Sequence, residues 1–183
     1  MTKLHLCSGD IYMPGYINCD IRGTIYTSDM GEMPKISLDN YYSGREIGKR
    51  GNIIVDKLMD ITKPWDFESG SVEEIVMISA IEHFPPNTAK FIVSEIKRVL
   101  KSGGVLRVDF PDIPKTIKQY YEYDPEYCMR LIYCNHNDEY SQHNWGYSII
   151  SFVDLLGDGW EKISIKDIVK HNYPMIGVEA VKE

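Results

Sequence analysis

The stretch from Glu74 to Phe110 constrains the fold more than any other part of this sequence. It opens with the uninterrupted apolar run Ile75-Val76-Met77-Ile78, which is typical of a strand covered on both faces. Apolar residues then recur at helical spacing from Ala89 to Leu100, and Val105–Phe110 is predicted to be a further buried strand. A strand, a helix and a second strand in this order predict a parallel sheet with helices packed on it.

The helix of this unit carries start and stop signals. We expect Asn87 or Thr88 to cap its first turn, because Pro85-Pro86 interrupts the segment before it. We expect Gly103-Gly104 to end it in a left-handed cap.

The remaining elements extend this unit into one sheet. Only Asp10 to Gly15 separates the first two predicted strands, which is too short for a crossover helix, so a loop or a single turn must join them. The segment Arg22–Gly51 shows no sustained period and is predicted to be irregular or weakly helical, and Asn135–Gln142 is predicted to be a polar loop. The fold class is therefore predicted to be α/β, with a doubly wound, mostly parallel seven-stranded sheet and an antiparallel C-terminal hairpin. The other predicted strands are Lys3–Leu6, Tyr16–Asp20, Ile53–Leu58, Glu161–Ile168 and Met175–Val181, and the other helices are Pro114–Tyr123, Pro125–Tyr133 and Ser148–Leu156.

Composition narrows the class of protein. With 183 residues, 43% hydrophobic and 26% charged, the chain is expected to form a single globular domain over residues 1–183. No apolar run approaches the roughly 18 residues of a membrane span, and the first residues lack a signal-peptide core, so a cytoplasmic protein without a membrane partner is expected. Four scattered cysteines favour reduced thiols. A net charge of −7 argues against nucleic acid as a partner.

Polar residues follow the first three strands at the point where each strand ends. Cys7-Ser8-Gly9-Asp10 follows the first strand, and its small residues allow backbone N–H groups to approach a ligand closely. Asp20 ends the second strand, where a carboxylate can accept both hydroxyls of a ribose, and Asp60 ends the third, where it can accept an adenine amine. A single Asp here is readily explained as a turn residue, but three at successive strand ends favour a ligand site.

Five motifs follow one another in a fixed order. They are Leu4-His5-Leu6-Cys7-Ser8-Gly9-Asp10 with Gly15-Tyr16-Ile17-Asn18-Cys19-Asp20-Ile21; Asp60-Ile61-Thr62-Lys63-Pro64-Trp65-Asp66-Phe67 with Ser71-Val72-Glu73-Glu74-Ile75; Ser79-Ala80-Ile81-Glu82-His83-Phe84; Arg98-Val99-Leu100-Lys101-Ser102-Gly103-Gly104-Val105-Leu106-Arg107-Val108 with Pro111-Asp112; and His143-Asn144-Trp145-Gly146-Tyr147. In this order and register they resemble the motifs of compact class I S-adenosylmethionine-dependent methyltransferases, which have a Rossmann-like fold. The resemblance spans nearly the whole chain except Arg22–Gly51.

The resemblance implies S-adenosylmethionine as the cofactor and assigns residues to its parts. Leu6, Cys7, Ser8, Gly9 and Asp10 would line the methionine part, Asp20 would hold the ribose, Ile21, Asp60 and Ile61 would contact the adenine, and Ser79 and Ala80 would pass beneath the sulfonium. One position departs from the family pattern of three glycines in the first loop. Cys7 and Ile11 occupy the outer glycine positions and only Gly9 remains, so the Cβ of Cys7 is expected to crowd the carboxylate end of the cofactor.

Methyl transfer to a hydroxyl requires a group that removes its proton. His83 directly follows the strand whose end would lie under the sulfonium, and it is the first candidate for a catalytic base, beside Glu82. His143 and His136 are second candidates, because their loop precedes the last helix and could overhang the pocket. A purely structural role, in packing or capping, remains open for both His83 and His143. No metal is expected, because the spacing of Cys128, Cys134, His136 and His143 fits no zinc arrangement.

The sequence therefore predicts a methyltransferase that acts on an oxygen or nitrogen of a small molecule or glycan. Recognition of that substrate is expected from Arg22–Gly51, Asp112–Tyr147 and the loops around His83, since no separate substrate domain fits in the chain. Two alternatives remain open. The chain could be a non-catalytic or degenerate S-adenosylmethionine-binding module, or a scaffold subunit that activates a catalytic partner, and a homo-oligomer is compatible with each reading.

Overall fold

One seven-stranded sheet organises the computed structural model, which describes residues 2–33, 35–42 and 53–183. The strands are β1 (Thr2–Leu6), β2 (Ile17–Asp20), β3 (Thr24–Ile25), β4 (Ile54–Val55), β5 (Lys57–Leu58), β6 (Val72–Ile78), β7 (Leu100–Pro111), β8 (Trp160–Ile165) and β9 (Met175–Lys182). The helices are α1 (Pro86–Val99), α2 (Ile113–Tyr120), α3 (Pro125–Tyr133) and α4 (Ile149–Leu156), with short 3₁₀ turns at Ser28–Met30, Leu38–Asn40 and Ile81–His83. No helix in these described ranges is long and apolar enough to cross a membrane.

The strand order is β5-β2-β1-β6-β7-β9-β8. The first five of these strands pair in parallel, and β9 runs antiparallel to both β7 and β8. The direction of winding reverses between β1 and β6, which is where ligands bind in open sheets of this kind. The predicted fold class, with its antiparallel C-terminal hairpin, is confirmed.

Strand β6 contributes alternate residues to two cores, as a strand covered on both faces must. Ile75 and Met77 point into the larger core, which includes the apolar stripe of α1 and residues of α4. Val76 and Ile78 point into a smaller core on the other face. That face is covered by Ile11 and Met13, by Tyr41, and by Ile168 and Val169.

No helix joins β1 to β2, as their spacing predicted, and a buried polar network takes its place. The Asn18 Oδ1 accepts hydrogen bonds from His5 Nδ1 at 3.0 Å and from the Met13 amide at 2.8 Å. Its Nδ2 donates to the Met13 carbonyl at 3.1 Å and to Asp56 Oδ2 at 2.9 Å. His5 Nε2 in turn accepts from the Tyr41 hydroxyl at 2.7 Å. The network fixes the loop between the strands and attaches residues 35–42 to the second face.

Three predicted boundaries are wrong for identifiable reasons. The strand predicted at Ile53–Leu58 is divided into β4 and β5, because Asp56 between them turns its carboxylate to the Asn18 amide and the Tyr12 hydroxyl. Helix α1 begins at Pro86, whose fixed φ suits the first helical position, without a side-chain cap from Asn87 or Thr88. It ends at Val99, and the Gly103-Gly104 pair lies instead in a bulge of β7, where Leu100 pairs with Val72 and Val105 with Glu74.

Other boundaries moved by a few residues. Strand β8 ends at Ile165, and Ile168, which was predicted to belong to it, packs in the smaller core instead. Within Arg22–Gly51 the structure shows β3 and two 3₁₀ turns, and residue 34 and residues 43–51 of that segment lie outside the described residues.

The buried His5 gives the fold a predictable pH dependence. Burial lowers the pKa of His5 to about 4, so the imidazole charges more readily in the unfolded chain than in the folded one. The contribution of the neutral imidazole to the unfolding free energy is fully present above pH 6.5 and is lost as the pH falls toward 4. We expect this one group to cost about 2 kcal/mol of unfolding free energy between pH 7 and pH 5.

Denaturant unfolding of wild type and His5→Gln at pH 7 and pH 5 measures this contribution. The variant should lose less stability than wild type over the interval by that amount, whereas His136→Gln, at an exposed position, should keep the wild-type pH dependence. An identical pH dependence in His5→Gln and wild type would show that the folded protein does not bury His5 in its neutral form.

Candidate functional site

A cavity of about 450 Å³ lies at the carboxyl ends of β1, β2, β5 and β6, where the winding of the sheet reverses. Its volume is within the range of about 300–1,000 Å³ typical of small-molecule sites. The residues that line it are Cys7, Gly9, Asp20, Ile21, Arg22, Ile53, Met59, Asp60, Ile61, Thr62, Ser79, Ala80, His83, Phe84, Glu139 and Tyr140.

Most of the predicted site residues meet at this cavity. Cys7, Gly9, Asp20, Ile21, Asp60, Ile61, Ser79, Ala80 and His83 all line it. Three predicted residues do not line the cavity: Leu6, Ser8 and Asp10. Of these, Leu6 and Ser8 are buried, at 0% and 3% exposure. His143 stands behind His83, with the two ring centroids 4.9 Å apart, and His136 is exposed and does not line the cavity.

The loop after β1 is held in a conformation that favours glycine. Cys7 and Gly9 both have left-handed backbone angles, with φ of 52° and 56°. A Cβ built on Gly9 would meet no atom within 4 Å, so its backbone borders open space. The Gly9 amide donates to Asp20 Oδ2 at 2.9 Å. Cys7 therefore holds a backbone conformation that favours glycine, at a cost of about 1–3 kcal/mol in backbone strain.

Two carboxylates stand at neighbouring strand ends around the cavity. Asp20 Oδ1 accepts from the Arg22 amide at 3.2 Å, so both of its oxygens are oriented by backbone donors. Asp60 Oδ1 accepts from the Thr62 hydroxyl at 2.6 Å and from the Thr62 amide at 2.9 Å. The hydroxyl of Thr62 lowers the pKa of Asp60 and keeps it ionised. The apolar side chains of Met59 and Ile61 line the same cavity.

Ser79 bounds the cavity in a second strained backbone position. Its φ is 47°, and its amide donates to Asp109 Oδ1 at 2.8 Å. The other oxygen of Asp109 accepts from His171 Nε2 at 2.8 Å, and both side chains are buried. Sequence reasoning missed Asp109 and His171, which fix the shape of the strand end under the cavity. Two strained residues at one cavity point to a functional site, since such strain persists only where the surrounding structure imposes it.

The 3₁₀ turn after β6 places two titratable side chains beside the cavity. His83 Nδ1 donates to the Gln142 carbonyl at 2.9 Å. Burial lowers the pKa of His83, against the opposing effect of the Gln142 carbonyl, so its Nε2 carries a lone pair at neutral pH. Burial also raises the pKa of Glu82 well above its usual range, and the charge of Asp109 adds to this. Burial lowers the pKa of His143 to about 4.

The loop after α3 closes the cavity from the side. The Asn144 and Trp145 amides donate to the Glu82 carbonyl at 2.9 and 3.0 Å, which fixes the loop on the 3₁₀ turn. Arg22 pairs with Asp138 at 3.1 Å, and its guanidinium lies 5.2 Å from the centre of the Tyr140 ring. Arg22 and Tyr140 were predicted only as parts of longer recognition segments, because no local motif identifies a contact between residues so distant in sequence.

Comparison with known proteins agrees with this geometry. A family model described as "Methyltransferase domain" matches residues 36–108, which include the end of β6 and the turn with His83. No curated protein sequence matches the chain.

Solved structures with the same fold include several methyltransferases. A S-adenosylmethionine-dependent methyltransferase from Methanosarcina mazei is 17% identical, with a TM-score of 0.55 over 98% of this chain and 90% of that one. A possible histamine N-methyltransferase from Thermotoga maritima is 13% identical, with a TM-score of 0.54 over 100% and 82%. Human N-acetylserotonin methyltransferase in complex with S-adenosylmethionine is 12% identical, with a TM-score of 0.57 over 99% and 47%. The chain thus matches a methyltransferase domain model over residues 36–108 and shares the Rossmann-like fold of these S-adenosylmethionine-dependent methyltransferases.

Proposed function

We propose that the enzyme transfers a methyl group to an oxygen or nitrogen of a small molecule or glycan that binds beside His83. The observation that carries this proposal is the meeting of Asp20, Asp60, Ser79 and His83 at one cavity. The cofactor supplies an electrophilic methyl group on a sulfonium, so the protein's task is to hold the cofactor, orient the acceptor and manage the acceptor's proton.

The acidic and apolar walls of the cavity suit the adenosine half of the cofactor. Both carboxylate oxygens of Asp20 are oriented by backbone amides, and we assign this carboxylate to the ribose hydroxyls. Ile21 and Ile61 are assigned to the faces of the adenine, and Asp60 to its amine. Asp60 can fill this role because only its Oδ1 is engaged by Thr62.

The loop after β1 and the end of β6 suit the other half. We assign the methionine part to the backbone of Cys7 and Gly9, where the open space at the Gly9 Cα admits a ligand. Leu6, Ser8 and Asp10 then act by shaping this loop rather than by lining the cavity. Ser79 and Ala80 are assigned to the sulfonium end.

His83 is the group we assign to activation of the acceptor. Its Nδ1–H is committed to the Gln142 carbonyl, so the lone pair of the neutral ring is on Nε2, and the residue lines the cavity next to Ser79. His143 packs edge-on against it and holds the ring from behind. Phe84, Glu139 and Tyr140 line the same cavity and offer apolar and polar contacts to an acceptor. The net charge of −7 supports a small molecule or glycan rather than a nucleic acid.

The assignment of Asp20 predicts the effect of two substitutions on cofactor binding. Asp20→Ala should weaken binding of S-adenosylmethionine more than tenfold, about 1.4 kcal/mol, because charged acceptors form strong hydrogen bonds. Asp20→Asn retains an oxygen for the Gly9 amide but loses the charge, and should also weaken binding. Asp154→Ala, at an exposed position on α4, is the matched control and should bind as wild type does.

Isothermal titration calorimetry measures these affinities. Wild-type affinity in Asp20→Asn would mean that Asp20 acts only by ordering the loop through Gly9. Absence of binding of either S-adenosylmethionine or S-adenosylhomocysteine to wild type at millimolar concentration would contradict the proposed function and leave the scaffold alternative.

The assignment of His83 predicts a loss of turnover without a loss of cofactor affinity. His83→Ala should reduce the single-turnover rate on the true acceptor by about 10²–10⁴-fold, the usual contribution of a general acid or base. His83→Asn keeps polarity but offers no basic nitrogen and should be almost as slow. A merely structural role predicts instead a lower melting temperature in both variants with turnover preserved at low temperature, so stability and rate are measured on the same samples.

A further inference from the structure

Glu82 is a buried carboxylate that the protein leaves unsatisfied. The residue is 2% exposed, and neither of its side-chain oxygens has a hydrogen-bond partner among the described residues. A carboxylate removed from water without a partner is strongly unfavourable, and native structures seldom tolerate one without a reason. The Tyr147 hydroxyl is likewise buried without a partner, and the charge of Glu82 acts on it. Within the part of the chain that the structure describes, no side chain donates a hydrogen bond to Glu82.

Two imidazoles lie next to this carboxylate. His143 Nε2 lies 3.9 Å from Glu82 Oε1, and one potential ligand atom from each of Glu82, His83 and His143 lies within 4.8 Å of the others. Each histidine uses its Nδ1–H to donate to a backbone carbonyl, His83 to Gln142 at 2.9 Å and His143 to Ile132 at 3.0 Å. A metal-bound histidine is usually held in this way, by a hydrogen bond from its second nitrogen.

We propose that Glu82, His83 and His143 form a binding site for one zinc ion at the acceptor end of the cavity. The zinc role deepens the proposed function and rests on it for the position of the acceptor. This set differs from the cysteine-containing set that the sequence excluded, and only His143 is common to both.

The ligands favour zinc over magnesium and calcium. Two imidazoles and one carboxylate are a common donor set of catalytic zinc sites, which keep a fourth position open for water or substrate. Ligand atoms around tetrahedral zinc are about 3.3 Å apart, so Glu82 and His143, at 3.9 Å, must close by about 0.6 Å, and no pair in the cluster needs to close by more than about 1.5 Å. Magnesium and calcium prefer oxygen ligands, which this cluster does not supply in sufficient number. Of the three proposed ligands His83 lines the cavity, so an acceptor would have to reach the open position from that side.

Zinc at this site gives His83 a more specific role than that of a base. Glu82, His83 and His143 would hold the ion, which would supply an open position that lowers the pKa of an acceptor hydroxyl, so that its proton could leave to water. The lone pair that the proposed function assigns to His83 Nε2 then binds the cation rather than the proton. Loss of turnover in His83 variants is expected in either case, so binding of the metal itself must be measured.

Calorimetric titration of chelator-treated, reduced protein with zinc chloride, in the absence of cofactor, provides the test. We expect one ion to bind per chain, and Glu82→Gln and His143→Asn each to weaken binding at least tenfold. At a free zinc concentration of about 100 times Kd, the melting temperature of wild type should rise by roughly 5–10 °C. Glu82→Gln removes a buried ionisable group, so its metal-free form should melt no lower than metal-free wild type.

His136→Gln and Cys134→Ser are the matched controls, since they remove potential zinc ligands outside the cluster and should leave the affinity unchanged. No saturable binding, or a loss of affinity in only one of the two cluster variants, would overturn the three-ligand site, and Glu82 would then be held as a neutral acid. The titration needs neither cofactor nor acceptor. Its failure would leave the Asp20 and His83 results intact, and failure of cofactor binding would leave the titration valid.

Discussion

The side-chain amide of Asn18 is the interaction on which the rest of the structure depends. No helix lies between β1 and β2, and the intervening loop is held by the packing of Ile11 and Met13 and by Asn18, which forms hydrogen bonds with Met13, His5 and Asp56. The same bonds set the position of β2, whose last residue, Asp20, orients the Gly9 amide. One buried amide thus links the second face of the sheet to the wall of the cavity.

The two halves of the cavity are built differently, and the difference suits a methyltransferase. The half assigned to the cofactor is carried by the ends of parallel strands, whose backbones are fixed by the sheet. The other half comes from the 3₁₀ turn with His83 and from the loop after α3, which are joined by hydrogen bonds to the Glu82 carbonyl. The Arg22–Asp138 ion pair joins the same loop to the segment after β2. The half assigned to the cofactor can be similar in enzymes that use the same cofactor, whereas the other half can vary with the acceptor.

Much of the fold, and half of the site, could be predicted from the sequence, because both rest on local patterns. The apolar run of β6 and the helical period of α1 fixed the parallel sheet, and Asp20 and Asp60 were found because carboxyl ends of parallel strands meet at one edge. The division of Ile53–Leu58 depends on Asp56 reaching Asn18, and the cluster around Glu82 depends on a histidine 61 residues away in the sequence. Such contacts leave no periodic signal, so only the three-dimensional structure reveals them.

A crystal structure of the protein with S-adenosylhomocysteine tests the central claim most directly. We predict electron density in the cavity at the ends of β1, β2 and β6, with the ribose hydroxyls on Asp20, the adenine against Ile61 and the sulfur beside Ser79, on the side that faces His83. Density for the ligand at another place in the molecule, or a ligand whose sulfur lies away from His83, would contradict the account.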